Sequence, residues 1–79
     1  MSVYIATFYT HLCALRFYRS RVSAGDDAVM MPVPRKLSAS CGTCVRFALP
    51  FQPEWADEDL EAVYVETPDG YDPLFLSED

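Results

Sequence analysis

The residues best suited to covalent chemistry in this chain crowd into one stretch, Ser38-Ala39-Ser40-Cys41-Gly42-Thr43-Cys44. A cysteine attacks as its thiolate, and an unperturbed thiol titrates at about 8.5, so its surroundings decide what it can do. Arg35 and Lys36 supply positive charge just upstream, and Ser40 and Gly42 flank Cys41. A loop of this kind can turn backbone N–H groups toward a bound anion such as sulfide or a persulfide. The spacing Cys41-x-x-Cys44 admits a nucleophile with a second, resolving thiol, a dithiol pair, or half of a metal site. Thioredoxin-like proteins carry this motif at the start of a helix that follows a strand. Here it lies in a loop that enters a strand, so that reading fails on context. His11 and Cys13 could complete a Cys₃His zinc set, a known structural type. Positions two apart on a helix diverge, however, and Cys13 reads more simply as a small core residue; no metal is assigned. The bland alternatives are a loop without chemistry, Cys44 as a small side chain entering a strand, and His11 as a polar residue opening a helix.

Other chemistries are missing from the chain. Neither G-x-x-x-x-G-K-[ST] nor G-x-G-x-x-G occurs, and one histidine among 79 residues gives no basis for a Ser-His-Asp set. A chain this short has little room for an enclosed substrate pocket. A carrier or accessory protein is therefore expected rather than a stand-alone enzyme, with no cofactor.

Composition narrows the partners. Twelve acids against six bases give a net charge of −6, which is wrong for a protein that must neutralise nucleic-acid phosphates. The bases Arg16, Arg19, Arg21, Arg35, Lys36 and Arg46 all precede residue 47, and ten of the twelve acids follow residue 53. Such halves suggest homo-oligomer formation or a charged partner, with a solvated acidic helix as the simpler explanation. No run approaches the roughly 20 apolar residues of a membrane span, no basic leader opens the chain, and three cysteines do not make the even set of a secreted disulfide scaffold. The expected compartment is the cytoplasm, where thiols stay reduced. Residues 1–79 are expected to form one domain, with 51% hydrophobic residues to fill its core.

The elements that must position the thiols follow from pattern. Val3 to Phe8, apolar with β-branched and aromatic residues, predicts a central strand. Thr10 is an N-cap for a helix over about 11–22 with Leu15, Tyr18 and Val22 on one stripe and Gly25 as its C′ residue. Ala28 to Met31 predicts a strand confined to an edge by Pro32 and Pro34. Cys44 to Leu49 alternates as a third strand. Residues 53–63 put acids in the first turns and Ala56, Leu60 and Val63 on a stripe, which predicts a second helix. After Pro68-Asp69-Gly70, Tyr71 to Leu76 predicts a fourth strand, held to an edge by Pro73.

The order β-α-β-β-α-β is the ferredoxin-like plan: an α+β fold with a four-stranded antiparallel sheet of order 4-1-3-2 and both helices on one face. Following chain direction, one edge of that sheet collects Thr10 and His11, the loop holding Cys41, and the turn at Asp69-Gly70. Thr10 and His11 are expected near Cys44, with Cys41 as a further neighbour. There the helix N-terminus and His11 or Arg35 would support a thiolate or a bound anion.

Two runs carry a family resemblance. Pro32-Val33-Pro34-Arg35-Lys36-Leu37-Ser38-Ala39-Ser40-Cys41-Gly42 followed by Val45-Arg46-Phe47 resembles the signature of the selenium/sulfur carrier protein-like family of small bacterial domains. Ala6-Thr7-Phe8-Tyr9-Thr10-His11 with Ala14-Leu15 is similar to that family's opening strand and helix start. The resemblance implies that Cys41 bears sulfur or selenium, with Arg35, Ser40 and Gly42 as loop support. It also implies a cysteine desulfurase or a selenium/sulfur-handling protein as partner. The chain departs from the pattern at Cys44, which offers a resolving thiol, and around Pro50, Pro53 and Trp55. Two other readings stand beside the carrier: a non-catalytic interaction or regulatory module, and the small Cys/His zinc site.

Overall fold

Val-Tyr-Ile-Ala-Thr-Phe does become the centre of a sheet. The computed structural model describes residues 2–37, 39–56 and 58–77. β1 (Tyr4–Phe8) lies mid-sheet with Ile5, Ala6, Thr7 and Phe8 all buried, so both of its faces are covered. Its neighbours are β3 (Thr43–Phe47) and β4 (Leu60–Thr67), both antiparallel; β2 (Val29–Pro32) and β5 (Gly70–Leu76) form the edges. The sheet order is β2-β3-β1-β4-β5. Pro32 and Pro73 therefore sit on edge strands, where their missing donors do least harm.

The connection from β1 to β2 is α1 (His11–Ser23). The Thr10 side chain caps its start by accepting from the Cys13 N–H at 3.2 Å. The helix ends in a Schellman motif: the Gly25 N–H donates to the Val22 carbonyl and the Asp26 N–H to the Arg21 carbonyl, both at 3.0 Å. Gly25 takes φ +87°, which suits glycine. The inward stripe is Ala14, Phe17 and Tyr18, not Leu15, Tyr18 and Val22; Val22 is 47% exposed. Phe17 decides the rotation, because its ring meets both Phe8 and Phe47 with centroids 5.2 Å apart.

Among the described residues the second helix does not form. Its described residues form a 3-10 turn, Pro53–Trp55, and then β4, so the fold is α+β with one long helix and five strands among the described residues, instead of two helices and four strands. Val63, Tyr64, Val65 and Thr67 favour a strand, and the open edge of β1 offers a ladder for it. The helix-like spacing of Leu60 and Val63 has a different cause. The register passes from Thr7 opposite Ala62 to Phe8 opposite Leu60, leaving Glu61 as an extra residue. This β-bulge puts residues three apart on the same core face, and both are buried there. The hairpin Thr67–Gly70 then adds β5, whose own irregularity leaves Leu74 unpaired.

The core on the helix side joins Ala6, Phe8, Ala14, Val45, Phe47, Leu60 and Val63. Each large apolar side chain fully buried there contributes about 1.5–3 kcal/mol. Asp26, buried after the helix, closes the same layer: its carboxylate accepts the Ala48 N–H at 3.0 Å and the Leu49 N–H at 3.1 Å. Ser38, in the loop between β2 and β3, and Asp57, in the segment expected to be helical, lie outside the described residues. No helix among the described residues is long and apolar enough to cross a membrane.

Candidate functional site

The β2–β3 connection is a strap that crosses the face of the sheet opposite α1. Its neck closes where the Val33 N–H donates to the Gly42 carbonyl at 3.0 Å, next to the paired residues Pro32 and Thr43. A turn follows, the Leu37 N–H donating to the Pro34 carbonyl at 3.0 Å. There Lys36 Nζ donates to the Asp69 carbonyl at 3.3 Å, in the β4–β5 turn. On the way back, Ser40 is tied to Glu61: its N–H donates to Oε1 at 3.0 Å and its hydroxyl to Oε2 at 2.9 Å. Glu61 and Thr67 stand six residues apart on β4, about 20 Å along a strand. The strap is thus pinned at opposite ends of one strand. Beneath it Thr7 and Cys44 are 0% exposed, Ile5 1% and Ala62 3%.

The three cysteines are all free thiols in three different environments. Cys41 follows the pinned Ser40 and precedes Gly42, whose carbonyl holds the neck. It is half-buried, and among the described residues its thiol has no hydrogen-bonding partner. A Cβ on Gly42 would meet nothing within 4 Å beyond its chain neighbours, so the loop is open at the residue after Cys41. Cys44 is enclosed: its sulfur faces the Pro32 carbonyl at 3.8 Å, and burial pushes its thiol up to about 11. It is a protonated thiol at neutral pH. Cys13 packs against the core while its sulfur accepts from the Thr10 hydroxyl at 3.0 Å.

The expected convergence occurs in part. His11 Nδ1 lies 3.3 Å from Thr43 Oγ1, which ties the start of α1 to the strand entrance between Gly42 and Cys44. Thr10 is occupied by the cap and by Cys13. The turn at Asp69-Gly70 lies at the other end of the sheet, because β4 takes the place expected of the last strand and carries the turn with it. Arg35 goes with that end. It lines a shallow cleft of about 320 Å³ with Glu66, Thr67 and Tyr71, away from the Ser40–Glu61 anchor. Among the described residues, no three metal-ligating side chains gather around one point.

Sequence reasoning missed Glu61. Its only signal is an acid inside the apolar run Leu60-Glu61-Ala62-Val63-Tyr64-Val65, a position that a bulge turns into an anchor.

The family model described as Putative Se/S carrier protein-like matches residues 3–69, which spans β1 through the β4–β5 turn and includes the whole strap. The comparisons with curated proteins and with solved structures gave no match.

Proposed function

Because the chain belongs to the selenium/sulfur carrier protein-like family, we propose that Cys41 carries a sulfur or selenium atom, as persulfide or selenosulfide, between partner enzymes. The observation that carries this reading is the sorting of the thiols. Cys44 is sealed and protonated; Cys13 is half-buried on α1 with its sulfur held by the Thr10 hydroxyl; Cys41 is half-buried on a pinned loop and has no hydrogen-bonding partner among the described residues.

Loading is a thiol exchange. The Cys41 thiolate attacks the outer sulfur of a donor persulfide, the donor's S–S bond breaks, and the donor thiolate leaves. Cys41 then holds the sulfane sulfur. Delivery is the same step in reverse sense, an acceptor thiolate attacking the outer sulfur while Cys41 leaves as thiolate. Neither step requires an external oxidant or reductant. Attack by Cys44 on the Cys41 sulfur would instead expel hydrosulfide and leave a disulfide that needs reduction. The burial of Cys44 and its raised pKa favour the single-thiol route. Ser40 and Gly42 act by fixing the backbone on either side of Cys41, and His11 steadies the adjoining strand through Thr43.

A cysteine desulfurase with free cysteine supplies the donor persulfide for a test. Wild-type protein is expected to gain mass in sulfur increments that a thiol reductant removes; equal gain on Cys41→Ser would remove the assignment.

A further inference from the structure

The place a second helix would have filled is only partly taken. Trp55 enters it, its ring 6.2 Å from Phe17 and 6.3 Å from Phe47. Between α1 and this tryptophan remains a cleft of about 290 Å³ walled by Phe8, Phe17 and Trp55 and edged by Arg16, Ser20 and Arg21. Its volume is at the lower end of the range for small-molecule sites, and apolar walls with few polar groups are their usual form.

The charge in this cleft is positioned and only partly offset. The Arg21 guanidinium lies 3.7 Å from the centre of the Trp55 ring and 5.6 Å from that of Phe17, held by stacking. Its Nε is closed off from water and has no hydrogen-bond partner. Among the described residues neither Arg16 nor Arg21 joins an ion pair. Asp59 adds one carboxylate to the lining, against two guanidinium groups. A partly enclosed guanidinium is ordinarily met by an anion, and its planar fork matches a carboxylate.

From this we infer that the cleft, which Cys13 also lines, is a second site, separate from Cys41, which binds a small organic carboxylate. The planar or apolar body of the ligand would lie against Phe17 and Trp55, and its carboxylate would take the outer N–H groups of Arg21 with Arg16 beside them. The aromatic walls disfavour a bare inorganic anion, which would lose hydration without gaining apolar contact.

Trp55 is the sole tryptophan of the chain, so its fluorescence reports the cleft directly. Benzoate and phenylacetate are titrated against benzyl alcohol and inorganic phosphate. The carboxylates are expected to give a saturable change, with benzyl alcohol and phosphate at least about tenfold weaker. Arg21→Met should weaken the carboxylates by about tenfold or more. Arg16→Met, on an exposed position that cannot disturb the core, should weaken them severalfold and flatten their salt dependence. The proposal is overturned if neither carboxylate saturates by about 10 mM, if benzyl alcohol or phosphate binds as well, or if Arg16→Met leaves both affinity and salt dependence unchanged.

Discussion

Glu61 receives Ser40 with both carboxylate oxygens, the backbone N–H on one at 3.0 Å and the hydroxyl on the other at 2.9 Å. The residue that a β-bulge sets aside in β4 thereby fixes the residue before Cys41, 21 positions away in sequence. The same contact holds the strap over Cys44.

Loosening that anchor should open the strap. Removing a hydrogen-bonded charge from a half-exposed site costs about 1–2 kcal/mol. In a Cys13→Ser/Cys41→Ser background, Glu61→Ala should therefore raise the rate at which Cys44 reacts with a thiol reagent by about tenfold. Equal rates with and without Glu61 would show that the strap is held by other contacts.

Cys44 makes stability depend on alkaline pH. Its thiol is raised from 9.0 to about 11 in the folded chain, so the folded state holds its proton more tightly than the unfolded state. The contribution is fully present below pH 9, falls away as pH rises through about 11, and amounts to at most about 3 kcal/mol. Denaturant unfolding of wild type and Cys44→Ala between pH 8 and 11 checks this. The wild type should lose stability over that window relative to the variant, and parallel curves would contradict it.

Asp26 should matter more for stability than a loop acid usually does, because its carboxylate takes two backbone N–H groups after β3. Asp26→Ala is expected to cost about 2 kcal/mol. In thermal unfolding that appears as a fall in Tm of about 8 °C or more.

Two glycines should answer alanine differently. Gly25 holds φ +87° at the end of α1, and Gly25→Ala should cost about 1 kcal/mol. Gly42 has a negative or extended φ and open space where a Cβ would go. Gly42→Ala should stay within about 0.5 kcal/mol of wild type, while a bulky residue there should slow sulfur exchange with a protein partner by narrowing the approach to Cys41.

The parts of this fold that sequence shows well are those set by short-range chemistry. Thr10 and Gly25 mark the ends of α1, and Pro32 and Pro73 mark edge strands, because a cap or a missing N–H acts locally. β4 was hidden by its bulge: Leu60 and Val63 share a face at a spacing that a regular strand cannot give and a helix can. The rotation of α1 escaped for a tertiary reason, since Phe17 follows the rings of Phe8 and Phe47. At the site, Cys41, Ser40 and Gly42 stood out as residue types, and His11 was brought to the strand entrance by chain direction. Glu61 and the separation of Arg35 from Cys41 depend on how the strap crosses the sheet, which no local pattern encodes.

The most direct test of the carrier reading is to load the wild type and the three single Cys→Ser variants with cysteine desulfurase and cysteine, then compare intact masses and locate the added sulfur by peptide mapping. Wild type, Cys13→Ser and Cys44→Ser should each gain reductant-sensitive sulfur on Cys41, and Cys41→Ser should gain none. Sulfur on Cys13 or Cys44, or loss of loading in Cys44→Ser while that variant remains folded, would contradict the account.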